Sequence, residues 1–248
     1  MTAKWITAFL DTPPAVSPDV ERFWLAATDT KLSTRRGANQ QFATLLPSDG
    51  DAFLRTQVIE SKTAGVHLDL HVPNLSETAG HASSLDAKVV ADHRTLVLLQ
   101  SPGGLPFFLV AHDGEHVRPR PVTWPRGHHS LTDQVCLDIP ANVFEREADF
   151  WSALTGWRRR RGGRPEFDYL ERPATMPLRL LMQRVGQSGP VRAHLDMACD
   201  DVPAETERHE ALGATVTRRT NSWTTLRDPA QREYCITSRD PWSGTRAR

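Results

Sequence analysis

The sequence has little cysteine, no excess of either charge and no long apolar run, and each shortage closes off a class of function. Its three cysteines, Cys136, Cys199 and Cys235, are odd in number, far apart and never arranged C-x-x-C. An odd count without any C-x-x-C gives no sign of a disulfide framework or a structural zinc site. These three therefore read as reduced core residues of a cytoplasmic protein. Lys plus Arg and Asp plus Glu number 30 each, so the formal net charge is zero. No overall field draws in nucleic acid or an anionic membrane. The first apolar run, in "MTAKWITAFLDTPP", is broken by Asp11, Pro13 and Pro14. That run is too short for a secretory h-region or a membrane span. No G-x-S-x-G elbow occurs, and "GQSGP" at 186–190 lacks the Lys and Thr of a phosphate-cradling loop and reads as a turn.

What is present is a repeat. "VHLDLHV" (Val66 to Val72) and "AHLDMAC" (Ala193 to Cys199) place His67 and His194 at an offset of 127. The same offset relates Leu10-Asp11 to Leu137-Asp138 and Phe23-Trp24 to Phe150-Trp151. It also relates "LDA" at 85–87 to "LGA" at 212–214, Pro102 to Pro229, and Asp113 to Asp240. Between the Phe-Trp pair and the His-Leu-Asp triplet the register drifts by a residue or two and recovers. One offset shared by so many landmarks marks a duplication. The expected division is a first domain at 1–115, a linker at 116–130 and a second domain at 131–242. The linker holds three prolines and several basic residues, a composition that suits an extended surface segment. Its histidines, His128 and His129, are expected to be solvated.

Each half runs through the same periodicities: an apolar strand, a helix, two short strands, the His-Leu-Asp strand, a second helix and closing strands. Phe144, Ala148, Trp151 and Leu154 form one helical stripe. Ser17 before Pro18 predicts an N-cap with Pro in the first helical position. Both Phe-Trp pairs are expected to anchor cores. The basic run "WRRRRGGRP" at 157–165 is expected to be an exposed, solvated loop. In each His-Leu-Asp strand the His and Asp, at i and i+2, share one face.

That order of elements, with "FW" on the first helix, "HLD" opening the second unit, "LGA" after the second helix and "DPAQREYC" near the end, resembles the vicinal oxygen chelate superfamily. The nearest likeness is to its glyoxalase, bleomycin-resistance and dioxygenase-like branch. The resemblance implies an α+β fold of two tandem glyoxalase-like domains: four βαβββ units whose curled mixed sheets surround a cavity. It also implies a divalent-ion site that binds vicinal oxygens of a substrate, the ion acting as Lewis acid and template.

Carried over residue by residue, the resemblance implies His194, Glu233, Gln183 and Gln134 (or neighbouring Asp133) as metal ligands in the C-terminal half. Glu233 is then also the catalytic carboxylate, and Asp196 the partner that fixes the His194 tautomer. In the N-terminal half the same positions hold Thr7, Gln57, His67 and Pro106; a pairing of units between halves, as in some relatives, would instead put Thr7 and Gln57 with His194 and Glu233. Pro106 offers no carboxylate and Thr7 is neutral, so the N-terminal constellation is expected to be metal-free, with His67 hydrogen-bonding its neighbours in a polar cavity wall. The cofactor implied is one divalent ion (Zn, Ni, Mn or Fe) or none. Three functions stay open. One is a metal-dependent lyase, isomerase or ring-cleaving dioxygenase. Another is a metal-free protein that sequesters a small molecule, and the third is a regulatory use of the fold. The partner expected is a small-molecule ligand or substrate, with no nucleic acid and no membrane, for a monomer or homodimer.

Overall fold

A computed structural model describes residues 3–245. In the N-terminal half β1 (Trp5–Thr12) leads through a 3-10 turn into α1 (Ser17–Thr28), β2 (Lys31–Leu32), β3 (Phe42–Leu46) and β4 (Leu54–Val58). The His-Leu-Asp strand β5 (Gly65–Val72) follows, then α2 (Leu75–Ser84), β6 (Lys88–His93), β7 (Leu96–Gln100) and β8 (Pro106–Ala111). After the short β9 (Val122–Thr123), the C-terminal half repeats the order. It runs β10 (His129–Pro140), α3 (Phe144–Thr155), β11 (Arg159–Arg161), β12 (Phe167–Leu170) and β13 (Arg179–Val185). It closes with β14 (Arg192–Cys199), α4 (Val202–Ala211), β15 (Thr215–Arg219), β16 (Trp223–Arg227) and β17 (Glu233–Ser238).

The duplication is a structural one. One sheet has the strand order β2-β3-β4-β1-β5-β8-β7-β6, and the other has β11-β12-β13-β10-β14-β17-β16-β15. Each is mixed, because β5 runs parallel to β8 and β14 parallel to β17 among antiparallel neighbours. Helices α1 and α3 differ by 127 at both ends, as do α2 and α4. Even an irregularity is copied: β6 breaks register between Val89 and Ala91, and β15 between Val216 and Arg218. The drift expected from the sequence falls at β3 and β12, whose first residues, Phe42 and Phe167, are 125 apart.

The compact units of the molecule cut across this repeat. One comprises the chain up to Phe9, Val66–Val117 and Val135–Ala193; the other comprises Leu10–Gly65, Arg118–Gln134 and the chain from His194 onward. Each thus draws one βαβββ module from each half. In the first unit Trp151 of α3 packs edge-on against Phe107 of β8, with ring centroids 5.1 Å apart. In the second, Trp24 of α1 meets Tyr234 of β17 at 5.2 Å. The two Phe-Trp pairs are the core anchors expected, and each such aromatic contact adds about 0.5–1.5 kcal/mol beyond the area it buries.

Local chemistry sets the helix ends. Asn74 caps α2 by accepting the Glu77 N–H at 3.1 Å, and Asp201 caps α4 by accepting the Ala204 N–H at 3.0 Å. At α1 the structure corrects the sequence reading. The 3-10 turn at Pro14–Val16 feeds directly into the helix, so Val16 is the N-cap and makes no side-chain bond. Ser17 is already helical and donates to Glu21 Oε1. The basic run is a loop only in part: residues 162–165 lie outside any strand, but Arg159–Arg161 forms β11, and Arg159 is ion-paired with Glu145, Asp149 and Asp168. His128 is buried rather than solvated, because its Nε2 meets the buried Glu205 carboxylate at 2.8 Å. All three cysteines are free and buried. Among the described residues no helix is long and apolar enough to cross a membrane.

Candidate functional site

The two-residue period of β14 turns Leu195 and Met197 to one face and His194 and Asp196 to the other. The parallel partner β17 puts Cys235 beside Asp196. Gln134, on β10, donates its side-chain amide to Asp196 Oδ2. His194 Nε2 lies 3.4 Å from Asp196 Oδ1, and 3.9 Å from the Cys235 sulfur. The first separation is too long for a good N–H···O bond, and Asp196 Oδ1 is buried with no hydrogen-bond partner. The His194–Asp196 contact is therefore a long polar contact rather than a hydrogen bond.

Burial alone would raise the Asp196 pKa. The interaction with His194, the charge of Arg239 and the Gln134 hydrogen bond outweigh burial and hold it below the usual aspartate value. Asp196 is thus an anion in a desolvated site. Cys235 is shifted the other way. Burial first, then the nearby Asp196 charge, push its thiol up, so it stays neutral and is a poor nucleophile.

The other residues expected at this site have different partners. Glu233 opens β17 with its side chain exposed and reaches Arg227, its register partner on β16, at 3.1 Å. Gln183 on β13 accepts a bond from the Cys136 thiol at 3.6 Å. Asp133, next to Gln134, is fully buried and held by both terminal nitrogens of Arg239, at 2.6 and 2.7 Å. Three of the expected residues, His194, Asp196 and Gln134, are brought together. Cys235 was not foreseen, although it follows Glu233 by two residues and so shares its strand face.

In the N-terminal half the corresponding residues have other neighbours. The His67 ring stacks on Phe9 at 4.5 Å and leans on Phe108 at 5.1 Å, and its Nε2 lies 3.7 Å from Asp69 Oδ1. Thr7 bonds His71 Nε2 at 2.9 Å rather than either of these. Gln57 sits half-buried on β4 opposite Phe42, and Pro106 is an exposed residue opposite Gln100 at the start of β8.

His194 and Asp196 fit a shared divalent ion as two ligands. Ligand atoms about 2.0–2.2 Å from one tetrahedral ion lie roughly 3.3–3.6 Å apart, and theirs are 3.4 Å apart. The buried, unbonded Asp196 oxygen gives that ion a place to bind.

Comparison with known proteins adds a family and a fold. A family model described as a glyoxalase-like domain matches residues 8–110 and again 134–237. No match was found among curated proteins. Several solved structures share the fold across most of the chain. A variant of homoprotocatechuate 2,3-dioxygenase from B. fuscum superposes with a TM-score of 0.62 at 14% identity, covering 98% of this chain and 74% of that one. The 2,3-dioxygenase LapB from Pseudomonas sp. KL28 also gives 0.62, at 12% identity, covering 93% of this chain and 90% of that one. A mutant 4-hydroxymandelate synthase from Streptomyces coelicolor gives 0.59 at 12% identity, covering 100% of this chain and 95% of that one.

Proposed function

Because the chain belongs to the glyoxalase-like domain family, we propose that it acts on a small oxygenated molecule through one divalent ion held by His194 and Asp196. The observation that carries this reading is the buried, unbonded Asp196 Oδ1 only 3.4 Å from His194 Nε2. A dioxygenase-type reaction is the first choice of class, ahead of lyase or isomerase, since the fold neighbours include proteins named as 2,3-dioxygenases. When bound, the ion (Zn, Ni, Mn or Fe) would polarise vicinal substrate oxygens as a Lewis acid.

The chain's own residues have separable parts in this. Gln134 fixes the Asp196 carboxylate so that Oδ1 faces His194. His194 supplies a neutral imidazole, and the neutral Cys235 thiol borders it without competing as a nucleophile. Glu233 reaches the ion only by leaving Arg227, which makes it an exchangeable carboxylate rather than a fixed ligand. The working domains are 1–115 and 131–242 joined by 116–130. The buried free thiols suit a reducing, cytoplasmic location. The partner is a small molecule rather than nucleic acid or a membrane, bound by a monomer or homodimer.

A second reading has its own support. A protonated His194 would satisfy Asp196 without any metal, and Glu233 is already engaged by Arg227. On that reading the protein is a metal-free binder of the bleomycin-resistance type. Titration of chelator-stripped protein with zinc, nickel, manganese and ferrous iron separates the two. We expect His194→Ala and Asp196→Asn each to bind one equivalent fewer than the wild type at micromolar concentration, and His67→Ala to bind as many as the wild type. A metal content that His194→Ala leaves wholly unchanged from the wild type would sink the metal reading and promote the metal-free one.

A further inference from the structure

We propose that His71, His112 and Glu115 form a second divalent-metal site, in the N-terminal half and separate from the His194 cluster. One ligand atom from each of these residues lies within 4.8 Å of the others. Glu115 Oε2 is 3.4 Å from His71 Nδ1 and 3.5 Å from His112 Nδ1. Those separations exceed a normal N–H···O bond and match the roughly 3.3–3.6 Å expected between ligands on one tetrahedral zinc ion. His112 Nδ1 is buried and makes no hydrogen bond. Two imidazoles and one carboxylate are a donor set for zinc with one position left open, or for a facial ferrous ion.

The surroundings orient the donors. On β5, His71 shares the face of His67 and Asp69 by strand alternation. Thr7 Oγ1 lies 2.9 Å from His71 Nε2. When Nε2–H donates to that oxygen, the His71 Nδ1 lone pair is left facing Glu115, as a ligating imidazole requires. The segment after β8 is anchored where it begins, because the His112 N–H donates to the Val72 carbonyl at 3.0 Å. Further on, the Asp113 N–H bonds Glu115 Oε2 at 3.4 Å. An ion here would tie this segment to the end of β5. The C-terminal half is an internal control, since the repeat places Ala198, Arg239 and Trp242 at the corresponding positions.

The test is zinc and cobalt titration of the stripped full-length protein, followed by calorimetry and by the visible absorption of bound cobalt. One equivalent with a low-coordinate cobalt spectrum is expected beyond any bound at His194, so it is read in the His194→Ala background as well as in the wild type. It should be lost in His112→Ala and in Glu115→Gln, with affinity falling more than about 100-fold. Thr7→Val should weaken it roughly tenfold, as removal of a ligand-orienting partner does. His194→Ala should leave this equivalent intact, which keeps the proposal separate from the C-terminal one. Glu115→Gln is nearly isosteric and on a surface segment, so it reports even if His112→Ala fails to fold. If both folded variants bind zinc as tightly as the wild type, or the wild type binds none at micromolar concentration, the proposal is overturned.

Discussion

His67 and His194 hold the same position in two sheets of the same strand order, and their neighbours have diverged in opposite directions. His67 is packed between Phe9 and Phe108. His194 faces a carboxylate that is anchored by Gln134 and unbonded at its other oxygen. At the far end of the same strands the contrast is reversed. The N-terminal half gathers two imidazoles and a carboxylate at His71, His112 and Glu115. The C-terminal half has Ala198 in place of His71, and places Arg239, the counterpart of His112, on Asp133 in a buried ion pair. Duplication left two copies of one scaffold. Different side chains at matching positions make one stretch aromatic core, another an ion pair and another a donor cluster.

The largest expected effect comes from the most divergent pair. Asp133 is fully buried and corresponds to Ile6, itself fully buried, in the first half. Arg239→Met should cost about 3–5 kcal/mol in urea unfolding, because it strands a buried carboxylate. Adding Asp133→Ile, which restores the N-terminal half's residue, should recover most of that loss. If the double variant stays as unstable as the single one, the ion pair and its apolar counterpart are not interchangeable solutions at this position.

The next effect tests the His194 side of the comparison by pH. The folded pKa of Asp196 lies below its unfolded value. Its ionisation therefore stabilises the fold above about pH 3.9, and that contribution drains away as pH falls through the folded pKa. Asp196→Asn should cost about 1.5–3 kcal/mol at pH 7, the range for hydrogen bonds to a charged group. The gap from wild type should close below about pH 4. A gap that stays constant down to pH 3 would mean that packing, not charge, is what Asp196 contributes.

Much of this was legible in the sequence, for a physical reason. The repeat has almost no insertions, so helices, the parallel strand and even the bulge return at one offset. Strand alternation gave the His-Asp face directly. Which modules share a compact unit was not legible, because both halves present the same kind of apolar face. The family resemblance makes Glu233 a ligand by its place on the last strand, but its hairpin partner Arg227 competes for the carboxylate. His112 and Glu115 escaped notice because they follow β8, where no periodicity reports which way a side chain points. His71 could have been found: it is the third member of the alternating His67, Asp69, His71 face.

The smallest effect tests where the halves should not differ at all. Asn74 and Asp201 are 127 residues apart and accept from Glu77 and Ala204, also 127 apart, at 3.1 and 3.0 Å. Each side chain satisfies one orphan N–H at a helix start. Truncation to Ala should cost about 1 kcal/mol in either half. The two sites share no partner, so the double variant should lose the sum within about 0.3–0.5 kcal/mol. One asymmetry is expected. Asp201 is anionic at the positive end of α4, a term of about 0.3–1 kcal/mol that salt screens. Asp201→Asn should remove only that part and bring the two caps level, and 1 M salt should do the same without a substitution. Asp201→Ala costing several times as much as Asn74→Ala at high salt would show that α4 carries a share of C-terminal stability that α2 does not carry in its own half.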